Sequence, residues 1–574
     1  MSRRNRKKNN VLQLIPLGGV GEIGKNMFVL QYGQECVIID VGLKFPDEAM
    51  LGIDIVIPDI SYLMDNQIDI LGIILSHGHE DHIGALPYLI EELNAPVYGT
   101  RLTLGILETK FMEHPANNIN LNVIDPEQSL VLSPNFKLEF FRTNHSIPDS
   151  VGIAVDTPVG TVVYTGDFKF DQTPVDGRIT DYYKLAELGR RGVLAAIVDS
   201  TNADRPGYTL SEKEVGESIN EIFRLSRSRI ILATFASNIH RIQQVVDAAI
   251  RYDRKIGIVG RSIINTVETS TELGYLKIPK DIIVDLDKIN AVPHEKMALI
   301  TTGSQGEPMS ALTRISQSEH RQVEIFPGDT VIIAATPIPG NEKLVSRTVN
   351  NLFQLKAEVI YRPISGVHVS GHASEEEIKL MLNLLRPKYM IPYHGEFRQQ
   401  AYCSKIAQKL GIPEQNIFLV KPGNVMEFSE GNGRLAGSVA AGRVLVDGFG
   451  VGDVGEVVIR DRQVLSEDGI VIIVLAVDQG KSRVLAGPEI ITRGFVYVRE
   501  STDLIDDAKK ALSKTIDNIN REQLHDWNKI KASVRDAASS FFYELTGRRP
   551  MIMPIVIDVK SDKPGDNDDG SERN

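Results

Sequence analysis

Short apolar runs, separated by glycine and by charged turns, dominate the first part of the chain from residue 10 to about 175. Residues 11–17, 27–31, 36–41, 70–75, 137–142, 151–155 and 161–164 predict strands. A 3.6-residue period appears there only over roughly 85–93 and 103–111, which predict helices. From about 211 to 365 the rhythm becomes strand then helix: 230–234 and 238–251, 255–259 and 263–273, 330–335 and 342–355. That alternation requires a parallel sheet with crossover helices, hence a separate α/β domain over 211–365. Residues 391–394 and the helix from Phe397 read as a return to the first domain, which then spans 10–210 and 366–436. The Gly- and Val-rich segment 437–455 lacks a helical period and reads as the core of a linker over 437–464. A last α/β unit, 465–560, carries strands at 470–477 and 552–559 and helices near 503–519 and 527–546.

A chain of 574 residues is too long for one core, which agrees with several domains. Residues 1–9 form a basic arm and 561–574 an acidic, almost apolar-free tail, and both are expected to be disordered. No run of eighteen apolar residues occurs, and the N-terminus lacks the hydrophobic segment of a signal peptide, so no membrane association is expected. Cys36 and Cys403, the two cysteines, exclude a disulfide framework and a thiolate-rich zinc site, and they suit the reducing cytoplasm. The net charge of −12 does not announce a nucleic-acid binder, although a local basic groove is compatible with it.

The chemistry sits in the histidines. In Ile73-Ile74-Leu75-Ser76-His77-Gly78-His79-Glu80-Asp81-His82 an apolar strand runs into a loop with three imidazoles and a carboxylate, and a helix is expected from about Gly84. His-x-His sets two imidazoles on one side of an extended segment, while Asp81 and His82 turn toward a second point. Imidazole with carboxylate suits Zn²⁺ or Mn²⁺. His145, Asp167 and His394 each follow a predicted strand. Alone each is ordinary; together, five histidines and two aspartates fill two metal sites about 3.5–4 Å apart with Asp167 bridging.

Gly19-Val20-Gly21-Glu22-Ile23-Gly24 matches the dinucleotide fingerprint, but that fingerprint needs a helix immediately afterwards. Residues 26–31 read as β, so the glycines are expected to form a tight turn beside the metal loop.

His77-x-His79-x-Asp81-His82 with His145, Asp167 and His394 resembles the metal-binding signature of the metallo-β-lactamase superfamily. The resemblance implies an αββα sandwich in which His77, His79 and His145 hold one metal, and Asp81, His82 and His394 the other. Asp40 resembles that superfamily's carboxylate that orients the histidine loop. Asp199-Ser200-Thr201-Asn202 before the inserted α/β domain and His368-Val369-Ser370-Gly371-His372 after it resemble the extra motifs of the β-CASP nucleases. Leu17–Asn26, Gly52-Ile53-Asp54 and Thr302-Gly303-Ser304-Gln305-Gly306-Glu307-Pro308 extend the likeness, over nearly the whole chain, to the ribonuclease J family. Some of its members carry a degraded metal loop; this chain keeps every ligand.

That resemblance implies a 5′→3′ exonuclease preferring a 5′ monophosphate, and an endonuclease, acting in RNA maturation and mRNA decay. It implies two Zn²⁺ per subunit, or Mn²⁺ or Mg²⁺ in their place. Single-stranded RNA is the expected partner, with assembly into a homodimer or homotetramer through the C-terminal domain and other RNA-decay proteins as further partners. Within the site, the expected nucleophile is a metal-activated hydroxide oriented by Asp81, with His372, held by Asp199, as general acid. His368, Val369, Ser370 and Gly371, with Ser237 and His240, are expected to hold the terminal phosphate, and Phe45 to stack on a base. Gly52, Asp54 and Asp447 are expected to share a structural Ca²⁺. The competing readings are a small-molecule ester or thioester hydrolase and a non-catalytic RNA-binding scaffold. The inserted domain argues against the first and the complete ligand set against the second.

Overall fold

In the computed structural model the described residues are 11–47, 49–307, 310–337, 341–361, 366–448, 450–478, 483–496, 502–518 and 526–559. The basic arm, the acidic tail and Pro308 lie outside them. The chain divides into two compact units, residues 1–47 with 54–446, and residues 48–53 with 447–574.

In the first unit, alternation along the strands builds two packed layers. In Glu35–Ile39, Cys36 and Ile38 join one hydrophobic cluster, while Val37 and Ile39 join another on the opposite face. This strand lies within an eight-stranded sheet that runs, in spatial order, Asn432–Ser438, Asn424–Ser429, Leu12–Gly18, Met27–Tyr32, Glu35–Ile39, Asp69–Ile74, Val97–Gly99 and Leu121–Val123. A second sheet runs Tyr389–Tyr393, Val193–Asp199, Gly160–Tyr164, Val151–Thr157, Phe136–Arg142 and Leu130–Ser133. Phe28, Leu30 and Ile39 of the first sheet meet Phe140, Ile153, Tyr164 and Ile197 of the second in one buried cluster, so the sheets face each other. The outer face of the first sheet is covered by helices Leu86–Leu93 and Arg101–Glu113. The outer face of the second is covered by Tyr182–Arg191, Glu375–Leu385 and Phe397–Lys409. The four layers are an αββα sandwich.

The inserted domain is a five-stranded parallel sheet in the order Lys255–Val259, Met297–Thr301, Ile230–Ala233, Thr330–Ile333, Glu358–Ile360. Helices Glu212–Leu225, Ile239–Arg251 and Arg261–Glu272 pack on one face, and Ala311–Ser316 and Glu342–Gln354 on the other. Parallel strands covered on both faces read as near-continuous apolar runs, which is why Ile230-Ile231-Leu232-Ala233 shows no polar alternation.

The expected linker is largely structured. Arg443–Asp447 is a strand whose residues 443–446 pair antiparallel with 55–58 of strand Ile55–Pro58, burying Leu445 and Val446. In the second unit Glu456–Asp468 is a helix with no buried residue. A short strand paired to a segment nearly four hundred residues away, and a helix without an apolar stripe, give no periodicity to detect. The second unit also holds a sheet ordered Arg483–Arg493, Ile470–Asp478, Met551–Asp558, with Thr502–Asp517 and Trp527–Thr546 on one face. There Asp447 pairs with Arg462 (Nη2···Oδ2 2.5 Å), whose guanidinium also donates to Leu51 O at 2.9 Å. A Cβ on Gly52 would stand 2.7 Å from that guanidinium. Arginine thus supplies the positive charge at this carboxylate. Gly52 and Asp447 belong to the second unit and Asp54 to the first.

Candidate metal centre

Five strands deliver the polar side chains at their carboxyl ends: Asp69–Ile74 leads to His77, Phe136–Arg142 to His145, Gly160–Tyr164 to Asp167, Val193–Asp199 ends on Asp199, and Tyr389–Tyr393 leads to His394. The last two strands and Gly160–Tyr164 are mutually parallel neighbours, so their ends converge on one rim of the sandwich. The glycine-rich segment forms no helix: Met27–Tyr32 follows as a strand, Asn26 N–H donates to Asp81 O, and His394 N–H to Gly19 O. These glycines are a turn that laces the metal loop to the His394 loop.

The helix after the histidine loop begins earlier than the sequence predicts. Glu80–Ile83 is already one helical turn with His79 at its N-cap. The turn carries Asp81 and His82 away from the extended His77-Gly78-His79 segment, which physically separates two ligand groups. His77, His79, His145 and Asp167 form one group, and Asp81, His82, Asp167 and His394 a second, each with ligand atoms within 4.8 Å of one another. His77 Nε2 lies 3.0 Å from His79 Nδ1, which lies 3.1 Å from His145 Nε2. Asp167 Oδ2 stands 3.8, 3.7 and 3.2 Å from the Nε2 atoms of His77, His145 and His82, and Asp167 Oδ1 lies 3.2 Å from His394 Nδ1. His394 Nε2 reaches Asp81 Oδ2 at 2.9 Å.

Surrounding groups fix the rings. Asp40, buried and at φ 58, accepts from His82 Nδ1 (2.7 Å), Ser76 N (2.8 Å), Ser76 Oγ (2.8 Å) and Tyr164 Oη (2.8 Å). His145 Nδ1 donates to Gly371 O at 2.8 Å. In both histidines the bonded Nδ1 leaves Nε2 free to ligate, as metal-binding imidazoles require. Tyr393 Oη donates to Asp167 Oδ1 at 3.0 Å.

Electrostatics divide the groups. Burial, reinforced by neighbouring imidazoles, holds His77 and His145 well below the ordinary histidine pKa, and burial takes His79 to about 4, so these rings are neutral donors. Burial opposes charge on His82 and His394 too, but Asp167, with Asp40 and Asp81 around His82 and Asp81 beside His394, overrides it. His82 is raised well above its usual value and His394 to about 10. Buried carboxylates that draw protons onto imidazoles create a demand for positive charge that a divalent cation meets while releasing those protons. Nitrogen and oxygen donors without thiolate fit Zn²⁺, Mn²⁺ or a similar ion.

A third group, Asp167, Asp199, His372 and His394, flanks the pair. His372 Nδ1 donates to Asp199 Oδ2 at 2.8 Å, and Asp199 Oδ1 accepts from Thr201 N and Oγ1 at 3.0 and 2.7 Å. In the same loop Ser370 Oγ accepts from Asn202 Nδ2 (2.7 Å) and from His372 N (3.2 Å). His368 is held at a pKa of about 3 by burial and by Arg241, and its Nδ1 has no hydrogen-bond partner among the described residues. His240 lines a cleft together with His145, and Ser237 stands in the turn before helix Ile239–Arg251. Val369 packs against the hydrophobic cluster of the inserted domain's helices. Phe45 is 56% exposed, two residues beyond Leu43, whose N–H donates to Glu80 O.

Asn26, Ser76, Tyr164 and Tyr393 escaped the sequence reading. Both tyrosines end strands just before ligand segments, Tyr164-Thr165-Gly166-Asp167 and Tyr393-His394, and that adjacency was their available signal.

Four family models match the chain: the metallo-beta-lactamase superfamily over residues 20–220, the ribonuclease J beta-CASP domain over 227–352, a Zn-dependent metallo-hydrolase RNA specificity domain over 356–419, and the ribonuclease J C-terminal domain over 457–559. Ribonuclease J2 of Bacillus subtilis is 46% identical, covering 96% of this chain and 100% of its own. Ribonuclease J 1 of Streptococcus pyogenes is 42% identical over 96% of this chain and 98% of its own. Ribonuclease J 2 of Staphylococcus aureus is 41% identical over 96% and 99%. A crystal structure of a protein of unknown function from Enterococcus faecalis, 14% identical, covers 73% of this chain and all of its own with a TM-score of 0.53, and shares the fold.

Proposed function

The chain belongs to the ribonuclease J family and is a metal-dependent ribonuclease, and we propose that it cuts RNA from a 5′-monophosphate end and also internally, using the two ligand groups that share Asp167. The carrying observation is the Asp199–His372 pair (2.8 Å) placed with His372 Nδ1 3.9 Å from that shared carboxylate. His77, His79, His145 and Asp167 would hold one divalent ion, and Asp81, His82, Asp167 and His394 the other. When bound, such ions neutralise phosphate charge and lower the pKa of water toward neutrality.

The chain's own groups then do the following. Asp81, whose side chain keeps 29% of its surface exposed, orients the attacking water. Asp199 takes the Nδ1 proton of His372 in a hydrogen bond, so Nε2 is the atom that delivers a proton to the departing 3′ oxygen as the P–O3′ bond breaks. The products are a 5′ phosphate and a 3′ hydroxyl. Ser370, Gly371 and His368, with Ser237 and His240, receive the terminal phosphate; Ser370 Oγ, which accepts two hydrogen bonds and keeps its own proton to donate, supports that role.

The second unit supports self-association. Its helices cover one face of the three-stranded sheet, while Ile491, Met553, Ile555 and Ile557 stand 38–47% exposed. Apolar side chains left uncovered together on one sheet face mark an interaction surface, here for a second copy. Zn²⁺ or Mn²⁺ as the working ion, action in the cytoplasm, roles in RNA maturation and decay, and association with other RNA-decay proteins complete the proposal. The deciding experiment incubates the protein and Mn²⁺, with and without chelator, with 5′-labelled RNA bearing a monophosphate or a hydroxyl. Chelator-sensitive release of mononucleotides from the monophosphate end, with slower attack on the hydroxyl end, is expected; equal rates on both ends would overturn the 5′ preference.

A further inference from the structure

The turn that follows strand Val193–Asp199 holds the His368–His372 loop in two ways. Asp199 takes the ring of His372, as described above. Asn202, which is buried, takes the rest. Its Nδ2 donates to Ser370 Oγ at 2.7 Å and to the carbonyl oxygen of His372 at 3.1 Å.

Two groups of fixed polarity set the direction of these bonds. A carbonyl oxygen can only accept, so Asn202 must turn its NH₂ to His372, and the same NH₂ meets Ser370. The backbone N–H of His372 can only donate, and it too ends on Ser370 Oγ, at 3.2 Å. Both acceptor positions of the hydroxyl are thereby filled. Its proton is left a third direction, away from Asn202 and from the loop backbone.

The two loop residues are not held equally. His372 O also accepts from Thr209 Oγ1 at 2.7 Å, and Asp199 holds its ring. Among the described residues Ser370 Oγ has only Asn202 as a hold from outside its own loop. Without that amide the hydroxyl keeps a single donor and is free to rotate.

From this we infer that Asn202 is a positioning residue for the RNA 5′ end. Its amide fixes the Ser370 hydroxyl as a double acceptor, and so aims the hydroxyl proton at the terminal phosphate. The inference rests on the 5′-monophosphate reading above and adds the residue that sets its selectivity. Asn202 acts through Ser370 and touches no substrate itself.

The test uses the full-length, metal-loaded protein and compares kcat/KM on 5′-monophosphate and 5′-hydroxyl RNA of one sequence. The ratio is internal to one preparation, so a partly folded variant still reports it. Asn202→Leu removes the donor and leaves no orphan, since His372 O keeps Thr209 and Ser370 Oγ keeps His372 N. It is expected to lower the ratio about tenfold. Asn202→Asp keeps the shape but offers only acceptors, so it captures the Ser370 proton and should cost as much as Ser370→Ala, about 10- to 100-fold. The double variant Asn202→Leu with Ser370→Ala should lose no more than Ser370→Ala alone, whereas losses at independent sites multiply. Cleavage of a circular RNA, which offers only internal bonds, should fall far less than the ratio.

If both Asn202 variants keep the parent's ratio while Ser370→Ala loses it, Asn202 has no such role and the 5′ reading stands. Multiplying losses in the double variant, or equal losses on all three RNAs, would also overturn the inference. A parent without preference for the monophosphate would bring down the 5′ reading, and this inference with it.

Discussion

His145 and Gly371 are joined by a hydrogen bond of 2.8 Å, from the ring Nδ1 to the backbone carbonyl, across the gap between the sandwich and the loop that follows the inserted domain. The approach is possible only without a side chain at 371. A Cβ there would stand 2.6 Å from both Nδ1 and Cε1 of His145.

Gly371→Ala should therefore displace His145, a proposed metal ligand, without touching the core. Loss of a group that orients a ligand typically costs about 10- to 100-fold in metal affinity or activity. Metal titration of activity, read beside the melting temperature, should show that loss with little change in Tm. Unchanged metal dependence would mean that the loop yields and that the contact does not position His145.

The same loop is proposed to carry two separable roles. Ser370 Oγ accepts two hydrogen bonds, from Asn202 and from His372 N, which leaves its own proton free to donate to a phosphate. Losing such a bond to a charged group costs about 1.5–3 kcal/mol, so Ser370→Ala should weaken the preference for 5′-monophosphate over 5′-hydroxyl RNA about 10- to 100-fold and spare internal cleavage. His372→Ala should slow terminal and internal cuts alike, by about 10²–10⁴-fold. Parallel loss of both activities in both variants would refute the division.

Burial makes both thiols inert. Cys36 is pushed up to about 12 by burial and by Asp69, and Cys403 is raised by burial and by Asp199. At pH 9 only about a thousandth of Cys36 is thiolate, the reactive form. A thiol reagent at that pH should label neither residue in the native protein and both in denaturant; fast native labelling would show that this part of the core opens.

Self-association should depend on the bare sheet face of the second unit. Ile555, 38% exposed between Met553 and Ile557 on strand Met551–Asp558, projects away from the helices that pack on Val556. Ile555→Lys should shift the protein toward monomer in light scattering while leaving the strand, whose register with Ile470–Asp478 is set by the buried face, intact. A variant with the parent's mass would show that this face is not the contact.

The sequence by itself determined the candidate ligands. His77, His79, Asp81 and His82 lie in one short segment after a strand, and a strand end is where the chain turns and side chains converge, so residue type and spacing identify the chemistry locally. The strands of the inserted domain were legible for the same reason, because burial on both faces leaves continuous apolar runs. Only the tertiary structure decided that residues 443–446 pair with 55–58, that Gly371 offers a carbonyl to His145, and that Asp40 and Tyr164 meet at one oxygen. It also decided which imidazoles are drawn toward charge, since Asp167 and Asp40, brought from distant segments to join the adjacent Asp81, raise His82, whereas burial and the surrounding imidazoles lower His77. Hydrophobic periodicity records which face of an element is buried. It carries nothing about which distant element lies opposite, and a backbone carbonyl has no residue-specific signature at all.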